Sequence, residues 1–256
     1  MSKYIKIFLF QLKTELNFKV DYIAALFSFC IHVIVFYFLW DFILGEKLSK
    51  GYSKEQLVWY VIIGELIVYT VTGMYKNVSD MIKSGTISNM LIKPVNFILY
   101  IVAQEMTAFV KFLFNCVVAF VLGILMAGKL DLSFQNLLLF LVSINLSLIL
   151  FMSLNILVGM LAFITEENKA FNNIISKFVL MVLFTPLEFF SEKVQILLRL
   201  LPTTYVVYPS AKILVNFSFE NDIILIGLQI ISIVVICLSV FLVYRKGVKD
   251  INVNGG

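Results

Sequence analysis

The sequence predicts an all-α integral membrane protein with six transmembrane helices, and three observations carry that prediction. Of 256 residues, 61% are hydrophobic and 14% charged, with a mean hydropathy of +0.99; a soluble fold cannot hide that much apolar surface. Several apolar runs reach the about 20 residues that a helix rising about 1.5 Å per residue needs to cross a hydrocarbon core roughly 30 Å thick. The runs are also unbroken, without the polar alternation of a barrel strand, and helices or closed barrels are the only backbones that satisfy their polar groups in lipid. Residues 1–256 read as a single transmembrane domain.

Residues 3–19 form an amphipathic N-terminal interfacial helix, with Lys3, Lys6, Lys13, Thr14 and Asn17 on one stripe and Ile5, Phe8, Leu9, Leu12 and Leu16 away from it. The run that follows is too long and too aromatic for a signal peptide. It is the first span, residues 22–44, and the second covers 57–75. A polar stretch of about twenty residues then separates the second span from the third, longer than a plain connection between antiparallel helices requires. The third span, 98–127, exceeds the bilayer core, so Gln104 and Glu105 belong at the interface and Lys111 snorkels. The fourth covers 137–164, and the fifth, 171–190, is cut short by Pro186 and Glu188. A short surface helix near 194–201 precedes Pro202 and Pro209, read as two breaks, and the sixth span is 223–244. No internal repeat and no broken helix is legible within the spans.

Trp40, Trp59 and Tyr60 fall at one face of this arrangement, and Tyr22, Tyr75, Tyr100 and Tyr244 at the other, as an aromatic belt requires. Twelve basic residues lie on the side of the N-terminus against seven opposite, which favours cytoplasmic termini by the positive-inside rule. The net charge of +4 is spread over span ends rather than gathered in a patch, which excludes nucleic acid as a partner. Cys30, Cys116 and Cys237 lie in apolar runs without CxxC spacing, and His32 is the single histidine; this argues against disulfide frameworks and zinc sites. Cys30 and His32 point to different faces, and packing is the expected use of both.

Gly123 to Lys129 has the GxxxxGK spacing of a phosphate loop, but Leu130 stands where a hydroxyl must reach Mg²⁺ and the run ends an apolar span. The chain binds no ATP by that route. Glu65 is the one acid near mid-span, open to two readings: a proton or substrate contact, or a carboxyl hydrogen-bonded to a neighbouring helix. Ser143, Asn145, Ser147, Ser153 and Asn155 spread around the fourth span and are read as interhelical hydrogen-bonding groups. No HExxH or GxSxG motif supports a membrane-embedded enzyme.

Within the stretch after span two, Gly85 is a break, Ile87, Met90 and Leu91 have helical spacing, and Pro94 is a stop. These features describe a short amphipathic helix whose apolar face meets either a partner outside the membrane or lipid headgroups. Here the sequence resembles the ABC-2 type transporter permease family, in its small six-span bacterial branch. Gly85, Leu91, Lys93 and Pro94 look like that branch's Gly...Leu...Arg/Lys-Pro segment, although Lys93 stands where arginine is common. Leu161, Ala162, Phe163, Thr165, Glu166 and Glu167 look like its span-four exit, and Leu201, Pro202, Tyr205, Pro209 and Leu214 like its stretch before span six.

The resemblance implies a permease subunit of an ATP-binding-cassette exporter in the bacterial plasma (inner) membrane, without catalytic residues or cofactors of its own. Its partners would be membrane lipid, a second permease, identical or related, and an ABC ATPase dimer that carries ATP and Mg. A cytoplasmic coupling helix between spans two and three would dock on the ATPase through Ser84, Gly85, Thr86, Ile87, Ser88, Asn89, Met90, Leu91, Lys93 and Pro94, with Glu166 and Glu167 as a second contact. A drug, peptide or lipid-like substrate would leave along the seam between permeases. The alternative is a proton-coupled secondary transporter using Glu65.

Overall fold

In a computed structural model the apolar runs become helices. It describes residues 2–15, 17, 19–44, 51–71, 73–165 and 168–254, and every regular element among them is helical. Helix α1 (Ser2–Glu15) precedes α2 (Lys19–Leu44) over the first predicted span. Helices α3 (Lys54–Val71) and α4 (Met74–Lys83) cover the second and run on into the polar stretch, where α5 (Thr86–Leu91) is a single short helix.

The third predicted span is two helices, α6 (Phe97–Glu105) and α7 (Thr107–Ala127), which corrects the expectation of unbroken spans. At the break, the Thr107 hydroxyl lies 3.0 Å from both the Gln104 carbonyl and Glu15 Oε1 and shares its one proton between them, a side chain competing for a carbonyl at the helix junction. Helix α8 (Phe134–Met160) starts at Ser133, whose hydroxyl accepts from the Asn136 N–H, and ends in a 3₁₀ turn, Leu161–Phe163.

Helix α9 (Lys169–Phe184) stops before Pro186 and a second 3₁₀ turn, Leu187–Phe189. Helices α10 (Glu192–Arg199), α11 (Thr204–Val215) and α12 (Phe219–Asn254) complete the chain. Among the described residues five stretches are long and apolar enough to cross a membrane: Tyr22–Ile43, Lys54–Lys83, Phe97–Ala127, Phe134–Phe163 and Phe219–Lys249. Helix α9, about 24 Å long, is shorter than the hydrocarbon core.

Side-chain contacts set the directions. Ser143 meets Gln229, Ser153 meets Cys237, and Phe163 abuts Gly247, so α8 and α12 run side by side in the same direction. Helix α3 runs with them: Gln56 at its start and Asn136 at the start of α8 donate to the Val215 and Leu214 carbonyls at the end of α11. At the other end Gly159 lies against α4, where a Cβ would come within 2.5 Å of Val78 and 2.9 Å of the Tyr75 carbonyl. Only glycine lets α8 and α4 approach that closely. One end of the bundle therefore carries α5, and the opposite end carries the start of α10.

Helix α11 is the part of the fold least expected from sequence. All twelve of its residues are buried, and it packs against α3, α8, α9 and α12. It enters the bundle from within: Val207 touches Gly64, ten residues into α3 and so about 15 Å from its start, while Val215 lies at the α10 end. Helices α10 and α11 thus make a re-entrant hairpin beyond the expected surface helix. Pro209 does not break the chain, a correction with a clear cause. It lies inside α11, and the Tyr205 carbonyl that it leaves without a helical donor accepts from Gln229 Nε2 of α12 at 3.1 Å.

Outside this core, the apolar side chains of α2, α7 and α12 are broadly exposed, among them Phe27, Phe38, Phe114, Val117, Ile231 and Leu242. They form the lipid-facing surface of a helical membrane bundle.

Candidate coupling surface and intramembrane polar clusters

Helices α4 and α5 are joined by Ser84 and Gly85. Gly85 has φ +72°, a left-handed conformation that turns the chain at little cost only without a Cβ. The turn folds the apolar side of α5 inward. Ile87 is fully buried in a cluster with Val78, Ile82, Phe97, Ile101 and Met160, and Met90 and Leu91 pack against it. This corrects the expectation that the apolar face is offered outward. What α5 and its flanks expose is Ser84, Gly85, Thr86, Ser88, Asn89, Lys93 and Pro94, with Ile92 at 84% exposure as the one large apolar side chain among them.

Two further segments reach this end. Lys3 of α1 donates to the Pro94 carbonyl, and the Tyr4 hydroxyl accepts from the Asn96 N–H. Along α1, Gln11 accepts from Gln104, and Glu15 accepts from Thr107 and lies 3.1 Å from Lys111. Lys111 therefore pairs with α1 rather than snorkelling, Gln104 meets that helix through Gln11, and Glu105 is buried. Glu166 and Glu167 lie outside the described residues. Their neighbour Asn168, 2% exposed, accepts from Ser79 and Lys83 of α4 at 3.2 and 3.3 Å and donates to the Val158 carbonyl at 3.1 Å. It ties the entry to α9, and the end of α8, to the helix leading into α5. An asparagine among polar loop residues gave no signal of this in the sequence.

Within the spans, Glu65 is 1% exposed. His32 Nδ1 of α2 lies 3.2 Å from its Oε1, at ion-pair distance but without hydrogen-bond geometry. The Tyr69 hydroxyl lies 3.2 Å from the same Nδ1 and 2.8 Å from Ser28 Oγ. His32 is thus the neighbour of Glu65 on the adjacent helix, a role that its spacing from Cys30 did not reveal, and its side chain is 47% exposed on the outer face of α2.

A second cluster centres on Gln229, fully buried in α12. Besides bonding Tyr205, it donates to Ser147 Oγ at 2.9 Å and accepts from Ser143 Oγ at 2.8 Å, and Ser147 meets Ser210 at 3.1 Å. Ser143 and Ser147 are interhelical, as expected. Asn145, Ser153 and Asn155 instead bond the carbonyls four residues back in α8, and only Ser153 adds a contact to α12, 3.7 Å from Cys237. Near the α10 end, Lys212 and Asp222 form a buried ion pair, and Asp222 also accepts from the Ser218 N–H at 2.8 Å. Tyr52, in the same region, has its phenol pushed up by burial and by the charge of Glu188.

The GxxxxGK run is the last turn of α7. Gly123 lies against the Trp59 indole and Gly128 closes the helix. A helix C-terminus presents carbonyls rather than the N–H groups that phosphate needs.

These features define a polytopic helical membrane protein whose chemistry is hydrogen bonding between helices and surface contact at one end. A family model described as ABC-2 family transporter protein matches residues 30–255, and the chain belongs to that family, a membrane transport component that is not itself catalytic. No curated relative matches at a significant level.

Proposed function

We propose that the chain is the permease subunit of an ATP-binding-cassette exporter, driven by a separate ATPase dimer that binds ATP and Mg. Family membership over residues 30–255 is the observation that carries this reading. The surface at the α5 end supports it: α5 and its flanks expose Ser84, Gly85, Thr86, Ser88, Asn89, Lys93 and Pro94, and Asn168, directly after Glu166 and Glu167 in sequence, joins α4 to the entry to α9. Ile87, Met90 and Leu91 set the shape of that coupling helix from inside, so an ATPase would grip its polar side. Movement of α5 would pass through α4 and Asn168 to α8 and α9.

In this reading α9 with its 3₁₀ extension is the sixth crossing. Its start is held at the α4 side by Asn168, and the Phe189 ring lies tilted against Trp40 and Tyr52 at the α10 end. Both termini then lie on the cytoplasmic side of a bacterial plasma membrane. A second permease, identical or related, completes the transporter, and a drug, peptide or lipid-like substrate crosses between the two.

One observation favours a second reading. His32 beside buried Glu65 puts two titratable groups 3.2 Å apart near mid-span, the kind of site that a proton-coupled secondary transporter uses. Purification of the tagged chain in mild detergent from its native host separates the two. Co-elution of a phosphate-loop ATPase is the expected result. A chain that elutes alone and transports on a pH gradient, with transport abolished by Glu65→Gln, overturns the exporter.

A further inference from the structure

Between the α3–α4 junction, α8 and α9 lies a cavity of about 320 Å³, at the lower end of the roughly 300–1,000 Å³ of ligand sites. Gly73, with φ +88°, leads into α4 there, and a Cβ on it would meet nothing within 4 Å. The lining is graded in the same sense along all three walls. Lys76, Asn155, Asn172 and Ser176 stand toward the α5 end, and on the same walls Val68, Phe151, Val179 and Leu180 stand farther from it. The step from Asn155 to Phe151 is about 6 Å along α8, and that from Asn172 to Leu180 about 12 Å along α9. Two of the polar side chains are almost wholly buried, Asn155 at 6% and Tyr75 at 7% exposure. Asn155 gives Nδ2 to the Phe151 carbonyl, while its Oδ1 and the Tyr75 hydroxyl bond no described residue; unlike Glu65 Oε1, neither oxygen is sealed from water. The cavity that both residues line is therefore wet and polar at one end and apolar at the other.

Every polar side chain in the lining can donate a hydrogen bond: one ammonium, two amides and two hydroxyls. No acidic side chain lines the cavity. A cationic head would meet the like charge of Lys76 and no counter-ion, whereas a carboxylate would meet that charge and four neutral donors. The apolar walls beyond take a hydrocarbon chain, and a volume so near the lower limit suits one chain rather than two. We propose that this cavity binds a single-chain anionic amphiphile, its carboxylate at the end lined by Lys76, Asn155 and Asn172 and its alkyl chain running toward Val68, Phe151 and Leu180. The inference does not rest on the exporter reading, since it concerns what the chain holds and not what drives it.

Photolabelling of the full chain, with any subunits that co-purify, tests it in phosphatidylcholine nanodiscs at mildly alkaline pH. The probes are a diazirine-bearing dodecanoic acid and the alcohol and amine with the same chain. Peptide mass spectrometry is expected to find the acid on the segments around Phe151 and Leu180 about tenfold more than the amine, the value of one charge-assisted hydrogen bond. Ser176→Trp fills the cavity and abolishes labelling there by all three probes, with the lipid-facing flank of α12 labelled as before. Lys76→Gln, at an exposed position, brings the acid down to the level of the alcohol, so the charge preference is tested even if the tryptophan variant misfolds. Equal labelling by acid and amine, an unchanged preference in Lys76→Gln, or labelling that survives Ser176→Trp overturns the proposal. Excess unlabelled dodecanoate is expected to displace the acid probe, and two-chain phosphatidate is expected not to; displacement by phosphatidate would make a membrane phospholipid the occupant and overturn the single-chain assignment.

Discussion

The bond from Gln229 to the Tyr205 carbonyl makes a quantitative prediction, because it does the work of a backbone donor that Pro209 lacks. Gln229→Leu keeps the size of the side chain and removes its bonds to Tyr205, Ser147 and Ser143. Interhelical side-chain bonds in membranes average about 0.6 kcal/mol each, so three are worth roughly 2 kcal/mol. The Tyr205 carbonyl, left unsatisfied in a buried helix, adds about 1–3 kcal/mol, for a total loss of about 3–5 kcal/mol. Pro209→Ala supplies the missing N–H, so in the Gln229→Leu background it should recover at least about 1 kcal/mol through the restored helical bond. Unfolding in mixed micelles of rising SDS fraction, followed by the fluorescence of Trp40 and Trp59, measures all four members of the cycle. If the two substitutions add to within about 0.5 kcal/mol, Gln229 is not replacing the proline's absent donor.

Three more predictions concern the α5 end and its coupling to the spans. Ile87→Asp puts a charge into a fully buried site and should lower stability by about 3 kcal/mol or more, seen as loss of the monodisperse peak in detergent; Asn89→Asp, on the exposed side, should leave that peak unchanged and lower substrate-stimulated ATP hydrolysis by the co-purified ATPase. Asn168→Ala removes the bonds to Ser79, Lys83 and Val158 and should cost about 1–3 kcal/mol, with transport per ATP falling in proteoliposomes while the complex stays assembled. Gly159→Val forces α8 away from Val78 and the Tyr75 carbonyl and should destabilise by about 2–3 kcal/mol, measured by the same SDS titration.

Hydropathy and periodicity were enough for the features that depend on one helix at a time. The apolar runs of α2, α8 and α12, the amphipathic α1, and the bracketing of α5 by Gly85 and Pro94 all follow from residue spacing. Features that depend on a partner helix were not legible. The pattern of Ile87, Met90 and Leu91 revealed an apolar face but not that α4 and α6 cover it. His32 and Glu65 are far apart in sequence, and nothing in either segment announces that they meet. Pro209 reads as a helix breaker because its replacement donor, Gln229, lies on another element. Asn168 looked like an ordinary loop residue, although its three bonds join α4, α8 and the start of α9. Lys212 and Asp222 carry no pattern that marks them out in the sequence, yet they are a buried pair within the α11–α12 corner.

Site-directed cross-linking tests most directly the claim that the polar side of α5 carries the force of an ATPase. In a background with Cys30, Cys116 and Cys237 replaced by serine, Asn89→Cys or Ser88→Cys would be oxidised in native membranes and probed for disulfide products. The expected result is a cross-link to a phosphate-loop ATPase that breaks on reduction and diminishes when nucleotide drives the ATPase through its cycle, while Leu138→Cys on the lipid-facing side of α8 gives none. An ATPase cross-linked equally from Leu138→Cys, or from neither position on α5 while it co-purifies with the chain, would contradict coupling through this surface.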